Sequence, residues 1–119
     1  DLPACIATLK RFLKPNGKLA LFYSSKKNAT DTSVDLLPEN KPLGKALTKS
    51  DFSFSTIDFT SNEKNIWEQS ILVANDLKED FVKEKNLELY KGRIAEASKN
   101  MEWQKKGLMT RYFYLASPN

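Results

Sequence analysis

The sequence predicts an α/β fold, in which helices cover a small sheet, and three observations support this. The consecutive apolar residues 19–23 follow a helical pattern and a turn, which is typical of a buried strand. Segments 52–59 and 109–116 are rich in the aromatic and β-branched residues that strands favour. Apolar residues at helical spacing occupy most of the remaining chain. The predicted order is therefore helix, strand, short helix, strand, helical hairpin, strand.

The first helix is predicted over residues 2–13, where apolar residues recur at spacings of three and four. Cys5 lies within this pattern, and we interpret it as a small core residue. The turn Lys14-Pro15-Asn16-Gly17 ends the helix, because proline cannot continue it and Asn-Gly favours a tight turn. The strand that follows, 19–23, is apolar throughout, which predicts helices on both of its faces.

The middle of the chain carries weaker patterns. Residues 24–40 are polar and predict a long mobile loop, and residues 41–49 predict a short helix. The alternation from Phe52 to Phe59 indicates a strand near an edge of the sheet. Residues 62–106 carry two apolar helical stripes joined by a polar link, which predicts an antiparallel helical hairpin. The first stripe contains Ile66, Ser70, Val73, Leu77 and Phe81, and the second contains Leu87, Tyr90, Ile94, Ala97 and Met101.

The composition excludes several classes of function. The 119 residues include no histidine, which removes Ser-His and Cys-His nucleophile pairs and histidine-ligated metals. A single cysteine excludes an internal disulfide and fits a reducing cytosol, so we expect a cytoplasmic protein. No apolar run approaches the roughly 20 residues of a membrane span. The net charge of +4 is spread over interleaved acids and bases, which favours solvated helix faces over a nucleic-acid surface.

The most informative segment is Phe12-Leu13-Lys14-Pro15-Asn16-Gly17-Lys18-Leu19-Ala20-Leu21. It resembles the L-K-P-G-G-x-L turn and strand of class I S-adenosylmethionine-dependent methyltransferases, where a helix leads into the fifth strand. Asn16 replaces the first glycine of the pair and tolerates the same positive φ. The resemblance implies the C-terminal half of a Rossmann-like sheet, with three strands of which the last is antiparallel and inserted between the other two. The hairpin 62–106 would be an insertion within a single partial domain, 1–119.

The family's cofactor elements have no counterpart in this sequence. Its four glycines are scattered, and none opens a helix after a strand as the Gly-x-Gly-x-Gly loop does. The chain begins with Asp1 and a helical pattern, whereas a parallel α/β sheet opens with a strand, so we expect a fragment of a longer protein. The resemblance implies S-adenosylmethionine as the cofactor of the full-length enzyme. We expect this fragment alone to be inactive and to bind no cofactor.

Substrate-binding candidates follow from the rule that ligands of open α/β sheets bind at the carboxyl ends of the strands. In the first strand, these positions are Tyr23, Ser24, Ser25 and Lys26. Trp67 of the hairpin could form a wall of the site, and Arg93 of the hairpin and Arg111 of the last strand could bind an anionic group. The alternatives are a plain loop start for the serines, core packing for the tryptophan and ion pairing for the arginines. No catalytic or metal-binding residue is predicted, because methyl transfer requires mainly alignment and exclusion of water.

The expected partner is a small-molecule methyl acceptor. Two other functions remain open, namely a self-contained α+β protein-interaction module and an RNA-binding accessory domain. If the strand at 19–23 lacks a neighbour, its apolar edge is open, and such edges recruit other chains. We therefore expect the isolated chain to self-associate through this edge.

Overall fold

The computed structural model describes all residues from 1 to 119 and contains one three-stranded sheet. The strands are β1 (Leu19–Lys26), β2 (Phe52–Asp58) and β3 (Met109–Pro118). The helices are α1 (Leu2–Phe12), α2 (Pro42–Lys49), α3 (Thr60–Asp76), α4 (Lys78–Lys83) and α5 (Leu87–Lys105), with a short 3-10 turn at Pro38–Asn40. The chain forms two compact units, which we term the sheet unit (1–59 and 110–119) and the helical unit (60–109).

Strand β3 lies between β1 and β2 and runs antiparallel to both. It pairs with β2 in antiparallel register over Phe52–Asp58. Along its other edge, Phe22 contacts Phe113 and Ser25 bonds to Thr110, so residue numbers fall along β3 as they rise along β1. Strands β1 and β2 are therefore parallel to each other, and their carboxyl ends lie at the same end of the sheet.

The core of the sheet unit lies on one face of the sheet, beneath α1 and α2. Ile6 of α1, Leu47 of α2 and Tyr114 of β3 are all fully buried there. Each such side chain contributes about 1.5–3 kcal/mol through removal of apolar surface from water. The Tyr114 hydroxyl donates a hydrogen bond of 2.8 Å to the carbonyl oxygen of Pro38. Gly44 packs so closely against the same carbonyl that a Cβ atom would overlap it.

Strand β1 is covered on one face only, which corrects the prediction that helices cover both. Leu19 is buried, whereas Ala20 and Phe22 on the opposite face are exposed. The reason is that α1 and α2, which flank β1 in the sequence, contribute to one common core. Cys5 is also exposed, because Ile6 occupies the buried position of α1.

In the helical unit, α5 packs antiparallel against α3, as the hairpin pattern predicted. At one end, the Gln104 side-chain amide donates a hydrogen bond of 3.3 Å to Glu63. At the other end, the Tyr90 hydroxyl donates one of 2.8 Å to Asn75. Between these ends lie the buried residues Ala74 and Ala97. None of the helices combines the length and the apolar character that crossing a membrane would require.

Most of the first predicted stripe of the hairpin is exposed rather than packed against α5, although Phe81 at its end contacts Tyr90 of α5. Ile66 and Val73 are 50% and 52% exposed. The buried positions of α3 are instead Glu63 and Ala74, on a neighbouring side of the helix. The stripe also does not form one continuous helix, since Leu77 separates α3 from α4. It lines a surface groove of about 570 Å³.

Candidate functional site

Three aromatic side chains meet on the open face of the sheet, near the carboxyl ends of the two parallel strands. Phe22 comes from β1, Phe59 directly follows β2, and Phe113 comes from β3. The Phe22 ring centroid lies 5.3 Å from that of Phe59 and 5.1 Å from that of Phe113. These separations are typical of attractive tilted and edge-to-face ring pairs. Since Phe22 is 52% exposed, the group presents an aromatic surface that a ligand can reach.

Arg111 of β3 joins this aromatic group. Its guanidinium lies over the Phe22 ring, with Cζ 4.9 Å from the ring centroid. Its Nη1 donates a hydrogen bond of 3.4 Å to the hydroxyl of Ser24. The Phe59 N–H donates a hydrogen bond of 2.8 Å to the Arg111 carbonyl, so the backbone ladder fixes their relative position. We term the following residues the carboxyl-end cluster: Phe22, Ser24, Phe59, Arg111 and Phe113.

The carboxyl-end cluster combines an apolar surface with a cation. Aromatic rings can hold the apolar part of a small molecule and exclude water from it. A guanidinium presents a planar fork of donors that matches a carboxylate or phosphate group. The chain contains no histidine and no group of three or more potential metal ligands. The rings and the guanidinium together support binding and orientation of a ligand.

The four residues predicted from the end of β1 divide between the two faces of the sheet. All four belong to the strand rather than to a loop, because β1 extends to Lys26. Tyr23 packs against the core, and Ser25 is half-buried on the same face. Ser24 and Lys26 lie on the open face, where the sheet brings Ser24 together with Arg111.

The other two predicted residues, Trp67 and Arg93, belong to the helical unit. Arg93 lies at the apolar groove along α3 and forms a 3.1 Å ion pair with Glu96. The Trp67 ring is half-buried, and its Nε1–H is buried without a hydrogen-bond partner. Unsatisfied buried donors are uncommon in folded proteins, and a ligand carrying an acceptor would satisfy this one. A role for either residue in substrate binding stays a prediction.

No pattern in the sequence marks Phe22, Phe59 and Phe113 as residues of one site. They lie far apart in the sequence and form one group only in the strand order β1-β3-β2. Their position could have indicated the site, because each lies in a predicted strand and ligands of such sheets bind near the carboxyl ends of the parallel strands.

A solved structure supports the same architecture. Phosphoethanolamine N-methyltransferase 2 of Haemonchus contortus, in complex with phosphomonomethylethanolamine and S-adenosylhomocysteine, matches all of this chain with a TM-score of 0.76. The chain has a methyltransferase-like fold. The predicted fold class is thereby confirmed, with the last strand antiparallel between its predecessors and a helical insertion before it.

The match concerns the fold, because the sequence identity is 17%. The chain spans 30% of the length of that enzyme. No protein-family model and no curated protein sequence matches the chain.

Proposed function

We propose that this chain is the C-terminal part of an S-adenosylmethionine-dependent methyltransferase that acts on a small molecule in the cytoplasm. The observation that carries the proposal is the position of β3, which lies between β1 and β2 and runs antiparallel to both. The whole chain, including this sheet, matches a methyltransferase structure. That enzyme's complex contains S-adenosylhomocysteine and a small substrate, which supports the same classes of cofactor and acceptor here.

Within such an enzyme, this chain supplies part of the sheet core and the acceptor side, and residues outside it supply the cofactor site. Gly17 precedes β1, Gly92 lies within α5, and Gly107 lies in the turn that follows α5. Gly44 lies in the first turn of α2, but its backbone packs against Pro38 and Glu39, which leaves no space for a ligand there. None of these glycines forms a glycine-rich loop between a strand and a helix, as the cofactor loop of the family does. The residues of this chain therefore do not fit S-adenosylmethionine.

The carboxyl-end cluster provides the acceptor side of the proposed site. Methyl transfer depends on holding the acceptor atom in line with the methyl group, so orientation alone contributes much of the rate. The rings of Phe22 and Phe113 exclude water from the acceptor, and Arg111 holds an anionic group on it. Ser24 accepts a hydrogen bond from the guanidinium and so restricts its orientation.

Replacement of Arg111 by glutamine tests this role in the intact enzyme that contains this chain. We expect kcat/KM for the acceptor to fall about tenfold or more, since a hydrogen bond to a charged group contributes about 1.5–3 kcal/mol. The affinity for S-adenosylhomocysteine should stay within about twofold. Formation of S-adenosylhomocysteine with a panel of small amines and alcohols measures the first quantity, and calorimetry the second.

The matched control is Arg11→Gln, which removes the same charge from an exposed position of α1. It should leave both quantities unchanged. Equal losses of kcat/KM in the two variants would refute a specific contact between Arg111 and the acceptor.

An alternative function is a self-contained module that binds another protein. The specific observation in its favour is the open face of the sheet, where Phe22 and Ile57 are 52% and 57% exposed. The reading frame upstream of Asp1 discriminates between the two functions. A glycine-rich strand-loop-helix there supports the methyltransferase, whereas a start codon close to Asp1 supports the module.

Self-association of the isolated chain through β1 is a further expected result. Strand β1 is at an edge of the sheet and carries exposed Ala20 and Phe22. Open edges with apolar residues pair with other chains, and an outward lysine opposes such pairing. Sedimentation velocity should show concentration-dependent association that Phe22→Lys weakens and that Leu72→Lys, an exposed site on α3, leaves intact. A monodisperse monomer at high concentration would refute this expectation.

A further inference from the structure

The excess positive charge of the protein lies in the sheet unit. This unit carries ten lysines and arginines against six aspartates and glutamates, whereas the helical unit carries nine of each. The charge is also uneven along the sequence, because residues 2–30 contain six cations and no acidic residue. Acidic and basic residues therefore balance in the helical unit, whereas the sheet unit has a basic surface around α1 and β1.

Part of this basic segment surrounds a cavity of about 530 Å³ at the amino end of β1. Lys10, Lys14 and Lys18 line the cavity, together with Asn16 and Ser117. This volume falls within the range of about 300–1,000 Å³ that is common for small-molecule sites. The cavity shares no residue with the carboxyl-end cluster, and its nearest lysine along β1, Lys18, precedes Phe22 by four residues, or roughly 13 Å of extended chain.

The turn between Lys14 and Lys18 has a defined backbone conformation that places both residues at the cavity. Asn16 adopts a left-handed conformation with a φ of 63°. The Gly17 N–H donates a hydrogen bond of 2.8 Å to the Lys14 carbonyl, and a Cβ atom at Gly17 would lie 2.8 Å from that same oxygen. The turn thus needs glycine at this position, and it fixes the backbone of Lys14 and Lys18 on either side of it.

The three lysines differ in their contacts. The Lys10 ammonium donates hydrogen bonds of 3.1 Å to the carbonyls of Ser50 and Asp51 and lies 3.4 Å from the Asp51 carboxylate. These contacts connect α1 to the residues just before β2, so the Lys10 ammonium is already engaged within the protein. Lys14 and Lys18 are exposed and form no ion pair. Two ammonium groups without a counter-charge beside a cavity favour an anion that carries two or more charges.

We propose that this cavity binds the phosphate groups of a small phosphorylated molecule, such as a nucleoside diphosphate. Lys14 and Lys18 bind the phosphate oxygens as point charges, as lysine does in many phosphate sites. Asn16 and Ser117 supply neutral hydrogen-bonding groups at the same cavity. The carbonyl end of α1 also faces this region and opposes an anion, so binding depends on these lysines. The site does not rest on the proposed methyltransferase function.

Calorimetric titration of the 119-residue chain with pyrophosphate, at constant ionic strength, tests the proposal. The expected result is saturable binding that Lys14→Gln/Lys18→Gln weakens about tenfold or more. The matched control is Lys45→Gln/Lys49→Gln, which removes the same charge from exposed positions of α2 and should change the affinity less than about twofold. Circular dichroism verifies that both variants are folded.

Two further titrants distinguish the sources of the phosphate group. Tighter binding of ADP than of pyrophosphate, with the same dependence on the two lysines, supports a nucleotide in the cavity. A short single-stranded RNA that binds more tightly than either, and equally well to the Lys14→Gln/Lys18→Gln variant, overturns the proposal in favour of a diffuse basic surface. Absence of pyrophosphate binding at millimolar concentration, or an equal loss in both double variants, also overturns it.

Discussion

Replacement of Tyr114 by alanine is expected to lower the free energy of unfolding by about 4 kcal/mol, since truncation of a buried aromatic residue leaves a cavity. Tyr114 is fully buried in the central strand, and its ring lies 5.5 Å from that of Phe54. Its hydroxyl also connects the sheet to Pro38, ahead of α2. Urea unfolding followed by circular dichroism measures the change. A loss below about 1 kcal/mol would contradict the placement of this side chain in the core.

The variant Tyr114→Phe separates the hydroxyl from the ring. It should lower the free energy of unfolding by about 1 kcal/mol at neutral pH, because it removes one buried hydrogen bond. Burial raises the pKa of the Tyr114 hydroxyl, so the folded state favours the neutral phenol. The stabilisation that comes from burying the neutral Tyr114 phenol is fully present below the unfolded pKa of about 10. It is lost as the pH rises toward the pKa of Tyr114 in the folded state. The stability of the wild type should therefore fall more steeply above about pH 10 than that of Tyr114→Phe.

Replacement of Gly44 by alanine is expected to lower the free energy of unfolding by about 3 kcal/mol, because buried overpacking against the backbone is difficult to relieve. The added Cβ would overlap the Pro38 carbonyl oxygen and lie 2.9 Å from two atoms of Glu39. The same change at Gly92, a position in α5 with open space around it, should instead raise stability by about 0.5–1 kcal/mol. Chemical unfolding of both variants provides the comparison, and equal effects would contradict the close packing at Gly44.

The sequence predicted the order of the elements well, because local patterns determined each of them. The apolar run at 19–23 and the turn before it identified β1, and the alternation at 52–59 identified β2. The burial of β1 on both faces was wrong, since a continuous apolar run does not show which faces helices cover. The outward orientation of Ile66 and Val73 on α3 was missed for a similar reason, because spacing indicates a helical side but not its partner.

The candidate site was only partly predictable. Ser24 was a candidate because it lies near the carboxyl end of a strand, and Arg111 was a candidate because it is positively charged. Their contact, however, depends on the register between β1 and β3. The three phenylalanines of the carboxyl-end cluster come from separate parts of the sequence, so no local pattern indicates that they meet. The basic cavity was not predicted, because the small net charge of the whole chain does not indicate that residues 2–30 contain no acidic residue.

Calorimetric titration of S-adenosylhomocysteine is the most direct test of the proposed function, performed on the intact gene product that contains this sequence and on the 119-residue chain alone. If residues outside this chain form the cofactor site, the intact protein should bind S-adenosylhomocysteine with a dissociation constant on the order of micromolar or lower, and the isolated chain should not bind it. Binding by the isolated chain would contradict the assignment of the cofactor site to residues outside it. Absence of binding by the intact protein would contradict the methyltransferase function itself.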